Sequence, residues 1–196
     1  MMHVRMGNEL ENMAYDWVHS TPENVDIRSE WYCESRDVFQ SRLDRMMNDL
    51  LKGKNVQEGK LYIASAIAGE IGNNSFDHNL GNWADIVGVF FGYEMEGDVL
   101  KIVLADRGRG VLSTLRGVKP ELENDVDALR VAFTERISGR APENRGNGLK
   151  FVRENLQDEN MHLVFFSGSA RAELNEVMDI HDADTVVNGC LAILTV

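Results

Sequence analysis

This chain of 196 residues is poor in cysteine, in positive charge and in long apolar runs, and each shortage excludes a class of protein. Two cysteines are too few for a disulfide framework, and the separation of Cys33 from Cys190 does not match a zinc site. No apolar run is long enough to cross a bilayer, and residues 1–17 lack the apolar segment of a secretory signal. We therefore expect a protein of the reducing cytoplasm that does not bind a membrane.

Negative charge dominates the ionisable residues. Asp and Glu number 32 against 20 Lys and Arg, which gives a formal net charge of −12. Such a surface repels phosphate backbones and anionic lipids, so neither nucleic acid nor membrane is an expected partner. The apolar content of 43% is ordinary for a globular chain, and the length suits one compact domain with an extension. We place a helical extension at residues 1–55 and the domain at residues 56–196.

Hydrophobic periodicity predicts helices first and then a mixture of helices and strands. The expected helices lie at residues 27–51, 61–79, 122–133 and 149–156, and the expected strands at residues 86–93, 99–105, 162–166, 170–174 and 190–196. Turn residues 96–98 and 167–169 join neighbouring strands as hairpins. The order predicts an α+β fold in which one layer of helices covers one sheet.

The helix expected at residues 61–79 carries polar groups in line with its apolar ones. Ile63 and Ile67 are followed by Glu70, Asn74 and His78 at intervals of three, four and four residues. At about 100° per residue, these positions stay within roughly a quarter of the helix circumference. Because burial of ionisable groups is costly unless they are paired, this face predicts a protein partner, a metal or a ligand.

Two glycine-rich loops carry a second set of candidate residues. Asp106 ends a nearly continuous apolar run and is followed by Gly108 and Gly110, which let the backbone turn and approach a ligand closely. A buried carboxylate at the end of a strand is suited to accept a hydrogen bond from a base amine. Later, RGNGLK at residues 145–150 leads into a helix whose N-terminal amides form an anion site. Each loop taken alone also fits an ordinary surface turn.

Together, the three motifs resemble those of the GHKL ATPase superfamily, which includes gyrase-type topoisomerases, ninety-kilodalton heat-shock chaperones, histidine kinases and mismatch-repair ATPases. Glu-x-x-x-Asn-x-x-x-His on a helix precedes Asp-x-Gly-x-Gly after a strand, and Gly-x-Gly-Leu then opens a later helix, all within residues 56–196. The resemblance implies a Bergerat-type two-layer α/β sandwich that holds ATP between helices and sheet. It also implies that residues 112–145 form a lid over the ligand.

The resemblance further implies a role for each matching residue. Glu70 is the expected catalytic carboxylate that polarises the attacking hydroxyl, and Asn74 is the expected ligand of Mg²⁺. Asp106 is expected to bind the adenine amino group. The other expected ATP-binding residues are His78, Gly108, Gly110, Val111, Arg145, Gly146, Asn147, Gly148 and Leu149.

The motif spacing is most similar to that of the stand-alone anti-sigma-factor serine kinases. Two features depart from that subgroup, namely the residues before position 56 and Asn188-Gly-Cys190, where a Gly-Thr pair is often found. The expected activity is transfer of the γ-phosphate of ATP to a protein serine or threonine or to water. An ATP-sensing regulatory module with little turnover and a detached histidine-kinase catalytic domain stay open as alternatives. We expect a protein partner or substrate, and the N-terminal helices offer a surface for a homodimer.

Overall fold

The computed structural model describes residues 8–53, 56–136 and 148–196. The helices are α1 (Glu9–His19), α2 (Arg36–Gly53), α3 (Glu58–Asn79), α4 (Gly110–Leu115), α5 (Asp125–Thr134) and α6 (Gly148–Asp158), with one short 3-10 turn at Pro22–Asn24. The strands are β1 (Tyr32–Cys33), β2 (Val89–Glu96), β3 (Val99–Asp106), β4 (His162–Leu174) and β5 (Met178–Thr195). Within these ranges, no helix is both long enough and apolar enough to span a membrane.

These five strands form one antiparallel sheet in the order β1-β2-β3-β5-β4. The chain neighbours β2 and β3 form the predicted hairpin, in which the turn residue Gly97 has a φ of 64°. The last strand, β5, lies beside β3 and pairs Cys190 with Asp106. The α+β architecture expected from the sequence, with helices packed on a sheet, is confirmed.

The main core lies between the sheet and helices α2, α3, α5 and α6. Its buried side chains include Phe39 of α2, Ile67 of α3, Leu104 of β3, Leu129 of α5 and Leu163 of β4. Full burial of one such side chain stabilises the fold by about 1.5–3 kcal/mol. Helices α2 and α3 approach closely at Gly72, because a Cβ atom there would overlap the ring of Phe39. This packing holds α3 against the sheet.

Helix α1 covers part of the opposite face of the sheet. A second apolar cluster holds it there, formed by Leu10, Ala14, Trp17 and Val18 of the helix and by Phe90, Val103, Ala105, Leu191 and Ile193 of the strands. At the edge of this cluster, Lys101 Nζ of β3 lies 2.9 Å from Glu11 Oε1 of α1. Residues 1–55 therefore supply helices to both faces of the sheet, and the division of the chain at residue 55 stays a prediction.

The segment before α2 differs from the sequence-based expectation. The helix expected from Ile27 begins at Arg36, and residues 32–33 pair instead with β2 as strand β1. Ile27 is 52% exposed, whereas the ring of Trp31 lies 6.3 Å from that of Phe90. The helix prediction was therefore wrong for the residues before Arg36. The edge of β2 offers hydrogen-bonding groups there, and an extended segment satisfies them.

Strand β4 is continuous where the sequence predicts two strands and a turn. It bends at the predicted turn, where Gly168 has a φ of 59° and the register with β5 shifts. A side-chain contact between the two ends shows that the bend is sharp, since His162 Nε2 lies 3.0 Å from Glu173 Oε1. Eleven residues of straight strand would instead span roughly 36 Å. The two halves stay one strand because both pair with β5.

Helix α5 corrects the expectation that residues 112–145 form a lid. Leu129 and Phe133 of this helix are fully buried in the main core. At its first turn, Asp125 Oδ2 accepts hydrogen bonds from Ser169 N at 2.9 Å and from Ser169 Oγ at 3.0 Å. Residues 125–134 are therefore part of the packed domain, and residues 137–145 lie outside the described residues.

Candidate functional site

Asp106 lies at the end of β3 and is only 2% exposed. Its Oδ2 accepts a hydrogen bond from Ser75 Oγ at 2.8 Å, and its Oδ1 accepts one from Gly108 N at 2.8 Å. Asn79 Nδ2 lies 3.5 Å from the same Oδ1. The strand therefore brings this carboxylate against two polar residues of α3, on the helix where the sequence predicts the ligand-facing groups.

The surroundings of Asp106 are dry. Burial raises the pKa of this carboxyl group above its usual range, and the hydrogen bonds from Ser75 and Gly108 oppose the shift. Cys190 pairs with Asp106 across the sheet, and desolvation together with the nearby carboxylate raises the pKa of its thiol well above the usual range. The thiol is therefore protonated at neutral pH. Because this end of the site is already desolvated, it suits the edge of a neutral aromatic base better than a hydrated ion.

Asn79 fixes the loop that follows Asp106. Its Oδ1 accepts a hydrogen bond from Arg109 N at 2.9 Å, and its Nδ2 donates to Ser75 O at 2.9 Å. The carboxamide lies so close to Gly108 that a Cβ atom at that position would overlap it. The first glycine of the motif is therefore required by close packing against α3.

The other end of this loop is held by β4. Gly110 has a φ of 73°, a conformation that favours glycine, and the next amide, Val111 N, donates to Ser167 Oγ at 2.9 Å. Ser167 Oγ in turn donates to Gly189 O on β5 at 3.1 Å. The loop between β3 and α4 is thus bonded to α3 on one side and to β4 on the other, where Ser167 in turn bonds to β5.

Glu70 and Asn74 lie against the start of α6. Gly148 is the first residue of that helix, and a Cβ atom there would overlap Glu70 Oε1 and lie 2.7 Å from Asn74 Nδ2. Leu149 packs against the main core, which fixes the first turn of α6 beside α3. The N-terminal amides of α6 are therefore close to a carboxylate and a carboxamide of α3, and the roles of these two residues stay a prediction. The predicted residues Arg145, Gly146 and Asn147 lie outside the described residues.

The polar stripe of α3 is rotated relative to the expected one. His78 is exposed, whereas Asn79 is 4% exposed and contacts the loop after Asp106. The residues of α3 that bind Asp106 are Ser75 and Asn79, which sequence reasoning missed. A second series with a spacing of four, Ile67-Ile71-Ser75-Asn79, was the signal that could have found them. The role of His78 in ATP binding stays a prediction.

The donor set near α6 fits a hard cation held together with phosphate oxygens. Across residues 8–53, 56–136 and 148–196, no group of three or more His, Cys, Asp or Glu side chains forms a metal cluster. Magnesium keeps several water ligands and commonly takes only one or two protein oxygens besides substrate phosphates. Glu70 supplies a carboxylate oxygen beside the start of α6, and the carboxamide of Asn74, whose Nδ2 is its atom nearest Gly148, carries a second oxygen.

Comparison with known proteins identifies distant likenesses among solved structures. No family model matches the chain, and neither does any curated protein. A similar solved structure is that of the 43K ATPase domain of Thermus thermophilus gyrase B in complex with an aminocoumarin, with 17% sequence identity and a TM-score of 0.36. The match covers 65% of this chain and 32% of the gyrase chain, so this protein aligns with about a third of that one. A likeness this distant assigns no function.

Proposed function

We propose that this chain binds Mg-ATP in a GHKL-type site between α3, the loop after β3 and the start of α6. The observation that carries the proposal is the convergence of two separate glycine-containing motifs on the helix that carries the third. Asp106 is bonded to Ser75, and Gly148 packs against Glu70 and Asn74, five and one residues earlier on the same helix. Five residues correspond to about 7.5 Å along the helix axis and to about 140° around it, so the two ends of the proposed site are neighbouring stretches of α3 that the nucleotide would bridge.

At one end, Asp106 binds the amino group of adenine. Each oxygen of an ionised carboxylate offers about two acceptor positions, and Oδ2 uses one of them for Ser75 Oγ. We infer that an N–H of the base is accepted beside the hydrogen bonds that Gly108 and Cys190 make to the same carboxylate. Guanine presents a carbonyl oxygen in place of that amino group, so the same carboxylate repels it. This dry acceptor therefore favours adenine over guanine.

At the other end, Asn74 and the first turn of α6 bind the phosphates. Amides at a helix N-terminus attract anions, and the carboxamide oxygen of Asn74 is suited to hold Mg²⁺. When bound, the metal ion neutralises charge on the β- and γ-phosphates. A side chain at position 148 would occupy the space between α3 and α6, which supports a role for Gly148 in close backbone approach.

The chemistry that fits this arrangement is transfer of the γ-phosphoryl group. Glu70 takes the proton of an acceptor hydroxyl while the oxygen of that hydroxyl bonds to the γ-phosphorus. The bond between the γ-phosphorus and the bridging oxygen breaks, and ADP leaves with the electron pair. The acceptor is a serine or threonine of a partner protein, which yields a phosphoester, or water, which yields inorganic phosphate. Among protein kinases that catalyse this transfer, we propose the anti-sigma-factor type, and the only support for that subtype is the motif spacing of this chain.

A regulatory module is the second candidate. In that case the chain binds ATP and changes its contacts with a protein partner, and it hydrolyses or transfers almost none of the bound ATP. The observation that favours it is the buried setting of Asp106, whose carboxylate is already hydrogen-bonded by four residues of the chain. A detached histidine-kinase catalytic domain is the third, recognisable by label on histidine that acid releases.

The metal role of Asn74 is tested by titration calorimetry with a non-hydrolysable ATP analogue, in Mg²⁺ and in EDTA. Asn74→Ala is expected to weaken binding roughly 10-fold or more in Mg²⁺, for the loss of about 1.5 kcal/mol, and much less in EDTA. Asn73→Ala is the matched control, because Asn73 is next on the helix and bonds instead to Gln40 of α2. Equal losses in both buffers would contradict the metal role.

Turnover separates the enzyme from the regulatory module. Labelled ATP is incubated with the chain, with and without co-purifying proteins, and label is followed in inorganic phosphate and in protein. Glu70→Ala is expected to abolish transfer while ATP still binds, and Glu58→Ala in the exposed first turn of α3 is expected to change neither. Tight binding with no transfer by the wild type would favour the regulatory module.

A further inference from the structure

Arg107 stands between Asp106 and Gly108, yet the proposed nucleotide contacts do not use it. Its side chain is 3% exposed. Nε and Nη2 donate to Asp85 Oδ1 and Oδ2 at 2.9 and 2.6 Å, and Nη1 donates to Trp17 O at 2.6 Å. Burial of a guanidinium group is costly unless its donors are paired. Arg107 can therefore stay buried only while these hydrogen bonds are present.

The contacts of Arg107 lie on the side of the sheet away from the nucleotide site. Successive residues of an extended chain point to opposite faces. Asp106 reaches Ser75 on α3, whereas Arg107 reaches Trp17 on α1. One peptide unit therefore connects the carboxylate that binds the base to the helix on the back of the sheet.

The contact with α1 is at the end of that helix. Trp17 O is one of the last four carbonyls, which have no partner within the helix, and the helix dipole also favours a cation there. The guanidinium carbon lies 6.0 Å from the centroid of the Trp17 ring. Arg107 thus fits α1 by hydrogen bond, by charge and by stacking, and it loses all three if α1 leaves the sheet.

We propose that Arg107 is a positioning residue that makes nucleotide affinity depend on the seating of α1. With α1 in place, Arg107 is held and so are Asp106 and the loop through Gly108. Without α1, the guanidinium keeps its pair with Asp85 but loses its other contacts and becomes exposed to water, so the peptide that it shares with Asp106 is held less firmly. The inference rests on the proposed ATP site, and linkage requires that ATP in turn stabilises the seating of α1 by the same factor.

The test uses the full chain and measures two quantities, the affinity for a non-hydrolysable ATP analogue and hydrogen exchange in residues 9–19. In the wild type, the analogue is expected to slow exchange in α1. Arg107→Met is expected to lower the affinity by about 5- to 150-fold, the usual range of coupling between sites, and to remove that slowing. Arg107→Lys keeps the charge without the two-pronged geometry. Its affinity for the analogue is expected to lie between that of the wild type and that of Arg107→Met.

Arg171→Met is the matched control. The guanidinium carbon of Arg171 also lies over a ring of the second apolar cluster, 5.9 Å from the centroid of Phe166. Arg171, however, pairs with Glu173 on β4 and not with α1. It is expected to bind the analogue as the wild type does. Should Arg107→Met not fold, Asp85→Asn removes the charged partner and is measured in the same way.

Three results would overturn the inference. One is an unchanged affinity in the Arg107 or Asp85 variant. The second is a lowered affinity with no effect of the analogue on exchange in wild-type α1, because Arg107 would then act without α1. The third is a wild type that does not bind the analogue, which removes the proposed function as well and is seen before any variant is made.

Discussion

Asp106→Asn tests the proposed adenine contact separately from the stability of the fold. The new carboxamide can keep both main contacts of the carboxylate. Its oxygen accepts from Gly108 N, and its nitrogen donates to Ser75 Oγ, whose own proton can turn to Ile71 O at 3.4 Å. In the proposed site, what changes is the group presented to the base, because an N–H would replace an acceptor opposite the amino group of adenine.

The expected loss of affinity follows from that one contact. A hydrogen bond to a charged group contributes about 1.5–3 kcal/mol, so ATP binding should weaken by roughly 10- to 150-fold. The stability of the Asp106→Asn fold at neutral pH should, in contrast, be equal to that of the wild type or higher. Because burial raises the pKa of Asp106, the folded chain holds this proton more tightly than the unfolded chain does. Stability from this group is present below the unfolded pKa of about 3.9 and is lost as the pH rises through the higher folded pKa.

The assay combines calorimetry with ATP and GTP and thermal unfolding at neutral and acidic pH. The Asp106→Asn protein should bind ATP weakly, discriminate poorly against GTP and unfold at the wild-type temperature or above it at pH 7. This advantage over the wild type should shrink as the pH falls. Asp98→Asn, in the exposed turn between β2 and β3, is the control. Wild-type affinity for ATP in Asp106→Asn would refute the assignment of the adenine-binding residue.

Other consequences concern stability. The hydrogen bond from Arg107 lowers the pKa of Asp85, so its contribution is present above about pH 4 and is lost as the pH falls through the folded value. Urea unfolding of Asp85→Asn should therefore show reduced stability at pH 7 and a smaller further loss in acid. Gly108→Ala should destabilise by about 1–3 kcal/mol in thermal unfolding, because its methyl group would displace the buried carboxamide of Asn79. Gly59→Ala, with nothing within 4 Å of the added atom, should stabilise by about 0.5–1 kcal/mol, and a loss there would contradict the packing around α3.

The elements of this fold were predictable where their signals are local. The turn at Gly97, the strands beside it and the helix start at Gly148 depend on residues close together in the chain. The start of α2 and the course of β4 were not predictable in this way. Both depend on pairing with strands that lie far away in the sequence, since residues 32–33 pair with β2 and both halves of β4 pair with β5.

The rotation of α3 illustrates the limit for the site itself. Buried residues face both α2 and the sheet, so the helix is apolar around much of its circumference and its pattern does not specify one inward face. The sequence therefore predicts that Glu70 and Asn74 are ligand-facing but not that Ser75 and Asn79 hold Asp106.

From the sequence alone come the chemical groups of the site and their order, because the spacing of a motif along one helix or one loop is a local property. The tertiary structure decides which of these groups meet and what lies behind them. The contacts of Asp106 with α3 and of Arg107 with α1 join residues that are distant in the chain. Such contacts arise only when the buried faces of helices and strands pack together, and periodicity within a segment carries no information about its partner.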